Sequence, residues 1–168
     1  RIEGTAGLIK TGGGALRLGN SLNNYTGTTT INNGALVIAH GGALGNNSLS
    51  NSDAIIVTGS AVQGVAGGVL VLEGGYASGV VLNRTLSLQG LGPTPARDTG
   101  AALISVRTNT LAGNVSTSSS ETTIYSTGGQ LTFSGGLQVG GILNFGSTAG
   151  TGAGTASVVI SGAVGGTG

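Results

Sequence analysis

The chain has 168 residues, among them 36 Gly, 2 Pro, 1 His and no Cys, Met or Trp, with six basic and five acidic side chains for a net charge of +1. Gly and Pro are too few for a collagen repeat, and the absence of Cys removes disulfide scaffolds, Cys-based zinc sites and thiol chemistry while suiting export. The basic residues are scattered and carry no charge excess, which excludes nucleic acid as a partner.

No apolar run approaches the ~18 residues of a membrane-spanning helix. Aromatic residues, at 3%, are too few for the girdles of a membrane barrel, so no membrane insertion of this segment is expected. Gly, Ser and Pro make up roughly a third of the chain, a level that suggests disorder unless the apolar residues are periodic. They are periodic. In chain order the β-type runs are GLIK (7–10), ALRL (15–18), TTTI (28–31), ALVI (35–38), AIIVT (54–58), VLVL (69–72), TLSL (85–88), ALISV (102–106), TTIY (122–125), QLTF (130–133), GILNF (141–145) and SVVI (157–160). Within the better runs Leu16 and Leu18, Leu36 and Ile38, Leu70 and Leu72, Leu86 and Leu88, and Leu131 and Phe133 alternate, as in strands that bury one face.

Inward markers at positions 16, 36, 55, 70, 86 and 103 recur every 15 to 20 residues without helical connectors. That recurrence predicts an all-β, parallel β-solenoid of about eight turns, a single segment over 1–168 cut from a longer repetitive chain. Gly and the pairs Asn23-Asn24, Asn32-Asn33 and Asn46-Asn47 fall between strands, where positive φ is needed and amides can ladder. The charges are expected to dress a Thr, Ser and Asn surface. The rival architecture is an antiparallel sandwich, with Asn33-Gly34 as its one hairpin signal.

Residues 7–38, GLIKTGGGALRLGNSLNNYTGTTTINNGALVI, resemble the autotransporter-associated β-strand repeat of passenger regions in very large bacterial secreted or surface proteins. Gly7-Leu8, Lys10-Thr11-Gly12, Gly14, Leu16, Leu18, Asn24-Tyr25-Thr26-Gly27, Thr29-Thr30-Ile31-Asn32 and Gly34-Ala35-Leu36 carry the pattern. The resemblance implies a right-handed parallel β-helix outside a bacterial cell, in a region used for display, adhesion or scaffolding. Segments 109–115 and 129–135 look like the looser stretches between such repeats.

Catalysis is poorly supported. The carboxylates are Glu3, Asp53, Glu73, Asp98 and Glu121, and glycoside hydrolysis needs two of them about 5 to 9 Å apart. Asp53 and Glu73 are the best pair by sequence spacing, but one lies in a turn and the other on an outward or corner position. His40 has no Cys or nearby acidic partner in sequence. Neither calcium-binding nonapeptides nor a phosphate loop occur, so no catalytic residue, metal or cofactor is assigned. The segment 91–99 holds both prolines, and its Pro93, Thr94, Pro95, Arg97 and Asp98 form a candidate recognition loop.

The expected function is a non-enzymatic structural rod or fibre, extracellular or on the bacterial cell surface. Ile2-x-Gly4-x-x-Gly7 recurs as Ile160-x-Gly162-x-x-Gly165, and neither end shows a charged or Pro-rich cap, so end-to-end self-association through uncapped edges is expected. The alternative is an adhesin module that binds a glycan or cell-surface ligand through protruding loops. A polysaccharide-active enzyme is the third reading.

Overall fold

The computed structural model describes residues 1–48, 53–60, 67–74, 79–92, 100–117, 121–148 and 156–166. Each of the twelve runs forms a strand, and five shorter strands join them. The first rungs are β1 (Leu8–Lys10), β2 (Ala15–Leu18), β3 (Thr29–Ile31) and β4 (Gly34–Ile38), followed by a 3₁₀ turn at Gly41–Leu44. Next come β5 (Ile55–Thr58), β6 (Gly68–Glu73), β7 (Val81–Leu82), β8 (Leu86–Gln89), β9 (Leu103–Val106) and β10 (Asn109–Leu111). The last are β11 (Val115–Thr117), β12 (Glu121–Thr127), β13 (Gln130–Phe133), β14 (Leu137–Val139), β15 (Ile142–Thr148), β16 (Ser157–Ile160) and β17 (Val164–Gly166).

These strands form three sheets in which every neighbouring pair is parallel. The first runs β1-β3-β5-β8-β11-β14-β17, the second β2-β4-β6-β9-β12-β15 and the third β7-β10-β13-β16. From β5 onward the chain visits the three sheets in rotation, the path of a β-helix rather than a sandwich. Asn33 accordingly ends the link from β3 of the first sheet to β4 of the second, which starts at Gly34, and the pair makes no hairpin.

The recurrence of 15 to 20 residues mixes two sheets. Leu16, Leu36, Leu70 and Leu103 are successive partners in the second sheet, whereas Ile55 and Leu86 are partners in the first. Along the first sheet the rung starts Leu8, Thr29, Ile55, Leu86, Val115, Leu137 and Val164 are 21 to 31 residues apart. Seven rungs therefore stack on that sheet among the described residues, where a 20-residue period gives about eight.

Inside the coil each inward position becomes a column. Leu16, Leu36, Leu70, Leu103, Ile124 and Phe145 form one, in which Leu36, Leu70, Leu103 and Ile124 have no exposed surface. Leu82, Leu111 and Phe133 face them from the third sheet. The Phe133 ring meets that of Phe145 edge to face, with centroids 6.0 Å apart. Burying each such side chain contributes about 1.5–3 kcal/mol, which no single rung obtains alone.

The corner between the third and first sheets has three residues each time: 83–85, 112–114, 134–136 and 161–163. Its middle position is Arg84, then Gly113, Gly135 and Gly162. A Cβ on each of these glycines would run into the carbonyl of the middle residue one rung below. The first two amides of the corner share that lower rung's strand-end carbonyl: Ser134 and Gly135 donate to Leu111, and Ser161 and Gly162 to Phe133. Close stacking, not positive φ, is what these positions require. Positive φ applies to only seven described glycines, Gly34 among them. The connections from the first sheet to the second, by contrast, range from two residues (Asn32 and Asn33) to thirteen (90–102).

Candidate functional site

The candidate recognition residues Pro93, Thr94, Pro95, Arg97 and Asp98 lie outside the described residues. Asp53 precedes β5 of the first sheet and Glu73 ends β6 of the second, so the two carboxylates belong to different walls of the coil. Glu73 is engaged by Arg17, whose Nε and Nη2 both donate to its Oε2, at 3.2 and 2.9 Å. Glu121 accepts from Asn144 Nδ2 at 2.8 Å. His40 is exposed at the start of the 3₁₀ turn, where its carbonyl accepts the Ala43 amide. Among the described residues no group of three or more His, Cys, Asp or Glu is placed to hold a metal ion.

Two cations expected on the surface are instead buried. Arg84 is 1% exposed. Its Nε and Nη2 donate to the carbonyl of Asp53 at 3.1 and 2.9 Å, its Nη2 also to Gly27 at 3.1 Å, and its Nη1 to the carbonyl of Leu44. Burial pulls this guanidinium below the usual arginine range, opposed by the Tyr25 phenol and the Asp53 carboxylate. Tyr25 is buried beside it, with its hydroxyl 2.8 Å from Thr29 Oγ1. Burial raises the Tyr25 pKa, and the Thr29 hydrogen bond and Arg84 counter that rise. Lys10 is treated similarly: its Nζ donates to the carbonyls of Thr11, Gly12 and Asn33 at 2.9, 2.6 and 3.0 Å. Arg84 and Lys10 thus saturate corner carbonyls that a dry coil leaves unpaired.

Amides do the same elsewhere. Asn47 Oδ1 accepts the amide of Asn83 at 2.8 Å, and Asn83 Nδ2 returns a bond to the Asn47 carbonyl, an inter-rung ladder of the kind expected for Asn46-Asn47. Asn23 instead bridges to the backbone, accepting from Ile2 and donating to Ala43. Asn109, buried at the start of β10, accepts from the Val80 amide and donates to Leu72 and Ser105.

The most ligand-like feature is on the outside of the second sheet. Arg17, Val37, Val71, Ile104 and Tyr125 are successive outward partners on β2, β4, β6, β9 and β12. Val69, Ala101 and Ile104 there are 1%, 1% and 2% exposed, a second apolar cluster separate from the interior core. Between these residues and the Arg17–Glu73 pair lies a cavity of about 360 Å³ lined chiefly by Ala and branched aliphatic side chains. The sequence signal for it is present in the runs ALVI, VLVL and LISV. There the position between two inward residues is also aliphatic, so the alternation is incomplete.

Residues 8–38 match the family model described as passenger-associated-transport-repeat. The match begins with β1 and ends with β4. It therefore covers two strands of the first sheet and two of the second, paired β1 with β3 and β2 with β4. No curated protein and no solved structure matches the chain.

Proposed function

We propose that this chain is a structural, non-catalytic β-solenoid segment of a large bacterial protein that is secreted or displayed on the cell surface. The observation that carries the reading is the coincidence of the matched passenger repeat with one full step of the coil, from β1 and β2 to their partners β3 and β4. A right-handed winding follows from the strong preference of parallel crossovers for that hand. At about 4.8 Å per rung, the seven rungs of the first sheet make a rod on the order of 30 Å long.

Such a rod transmits length and presents corners rather than performing chemistry. Its terminal rungs carry most of the large exposed apolar side chains: Ile9, Leu16 and Leu22 at one end, Ile142, Phe145 and Val164 at the other. Further solenoid rungs stacked on these edges cover them, so the segment associates end to end within a longer rod or fibre.

The test is immunogold labelling and protease shaving of intact cells that make the native protein, followed by electron microscopy of the released material. Surface label removed by protease, and uniform rods with a ~4.8 Å axial repeat, are expected. Retention in the cytosol, or globular particles without that repeat, overturns the reading.

A further inference from the structure

We propose that Asn24 and Asn114 are acceptors for N-linked sugar, each taking a glycosyl group on Nδ2 from a glycosyl diphosphate donor. This goes beyond the rod function, and failure of either leaves the other standing.

Four Asn-x-Ser/Thr triplets occur in the chain, at Asn24, Asn46, Asn83 and Asn114, and none has Pro in the middle. The fold gathers all four at one edge. They lead into β3, β5, β8 and β11 respectively, which are successive neighbours in the first sheet. The Asn46 amide donates to the Tyr25 carbonyl at 2.9 Å, the Asn83 amide to Asn47 Oδ1 at 2.8 Å and the Leu86 amide to the Asn114 carbonyl at 2.9 Å, so the triplets stack rung upon rung.

Extended backbone puts residues i and i+2 on the same side. The amides of Asn24 and Thr26 donate to the carbonyls of Ile2 and Gly4, both at 3.0 Å, the alternate-residue bonding of a parallel strand. Asn114 leads straight into β11. The middle residues Tyr25 and Val115 are each 1% exposed, so Asn24 with Thr26, and Asn114 with Ser116, turn outward together. Both Asn are exposed and both hydroxyl-bearing residues are half-buried beside them. A transferase that reads amide and hydroxyl together meets both on the outer edge. Asn114 Oδ1 accepts the Gly136 amide at 3.0 Å, which orients the side chain and leaves Nδ2 to react. The other two triplets are closed. Asn83 is half-buried and its Nδ2 donates to the Asn47 carbonyl at 3.0 Å. Asn46-Asn47-Ser48 lacks a buried middle residue, because Asn47 is tied to Asn83 and, through Nδ2, to the Val81 carbonyl at 2.8 Å.

In the transfer, Nδ2 bonds to the anomeric carbon as the bond from that carbon to the diphosphate oxygen breaks. The diphosphate leaves with the electron pair, and Nδ2 gives up one proton to a base of the transferase. From the β3 rung to the β11 rung is three rung spacings, about 14 Å, so the two sugars stand along one edge of the rod. With six basic and five acidic side chains the rod has little charge to keep it hydrated, and sugar supplies that hydration.

The experiment is electron-transfer fragmentation of peptides from the native protein released from intact cells. Whole-sugar mass increments are expected on Asn24 and Asn114. Occupancy at Asn83 is expected to be lower by about tenfold or more, since a sugar on its Nδ2 breaks the ladder to Asn47. Thr26→Ala removes the sugar at Asn24 and leaves that at Asn114, Ser116→Ala does the converse, and Thr26→Ser keeps both. A ladder of single sugars points to a nucleotide-linked donor and one uniform block to a lipid-linked donor; both outcomes support the assignment. The proposal is overturned if either Asn24 or Asn114 is bare, if Asn83 is occupied as fully as they are, or if the Thr26→Ala and Ser116→Ala proteins keep their sugars.

Discussion

The guanidinium of Arg84 stands 6.0 Å from the centre of the Tyr25 ring, although the two residues are 59 positions apart in the chain. Tyr25 precedes β3 and Arg84 precedes β8, with β5 between them in the first sheet, so one side chain ties three successive rungs. It does so by donating to Gly27, Leu44 and Asp53 at their backbone oxygens, so its charge is spread over dipoles and is not neutralised by a single carboxylate.

Arg84→Ala leaves those carbonyls dry and opens a cavity. A loss of about 3–5 kcal/mol is expected in urea unfolding. Arg84→Met restores volume without donors and should recover no more than about half of it. Equal stability of Arg84→Ala and the parent chain would show that the carbonyls are satisfied in another way.

Tyr25 supplies a pH signature. Its folded pKa is raised, so the folded chain keeps a proton that the unfolded chain releases near pH 10, and stability falls as pH rises beyond that point. Arg84, whose folded pKa is lowered by burial, has the opposite slope at still higher pH, nearer the usual arginine range. The clean measurement is therefore the difference between the parent chain and Tyr25→Phe. It should be constant from about pH 6 to 9, at about 0.5–1.5 kcal/mol for the lost hydrogen bond to Thr29, and shrink above about pH 10.

Two glycine substitutions separate close stacking from flexibility. Gly135→Ala drives a methyl group into the backbone of the corner one rung below, at the carbonyls of Ala112 and Gly113, and should cost about 1–3 kcal/mol or more. Gly13→Ala meets nothing within 4 Å and has no positive φ, so it should be neutral or stabilise by up to about 1 kcal/mol. Thermal melts of the two variants decide the matter; similar shifts would contradict the stacking account.

The charge pair on the outer wall is exposed, with Arg17 and Glu73 side chains 58% and 35% accessible. Glu73→Gln should change stability by less than about 1 kcal/mol, and the difference should vanish in high salt. Asp53→Asn and Glu73→Gln should leave a polysaccharide-hydrolysis panel at the level of the parent chain. Hydrolysis by the parent chain that either variant abolishes would establish an enzyme.

What the sequence disclosed follows from how each signal arises. Four-residue runs with alternating Leu, such as ALRL and QLTF, show both a buried face and its period, and both became strands with the expected bounds. Asn109–Leu111, Val115–Thr117 and Val164–Gly166 are three residues long and lack that alternation. They are strands because a neighbouring rung supplies their hydrogen bonds, a tertiary cause with no local trace. The apparent period is short for a separate reason: its markers come from two walls, Leu16, Leu36, Leu70 and Leu103 on the second sheet and Ile55 and Leu86 on the first. Arg84 shows a different limit. An isolated Arg in a Gly- and Asn-rich chain has the composition of a surface residue, and only the placement of Gly27, Leu44 and Asp53 reveals a carbonyl cage. The outer groove was within reach, since Val37, Val71 and Ile104 break the alternation in the runs that contain them.

Insertions should distinguish the corners. Four residues added between Gly113 and Asn114 break the shared bonds to the Leu82 carbonyl and should abolish cooperative unfolding. The same four residues added within 93–99 extend the longest connection between the first and second sheets and should shift the melting midpoint by only a few degrees.

The three-residue corner at 83–85, 112–114, 134–136 and 161–163 therefore meters the axial rise, while the other connections do not. Chain length and rod length are decoupled: residues gained at the permissive corners widen the molecule without lengthening it. A lineage of such rods can change what it presents sideways while keeping the reach of the fibre constant.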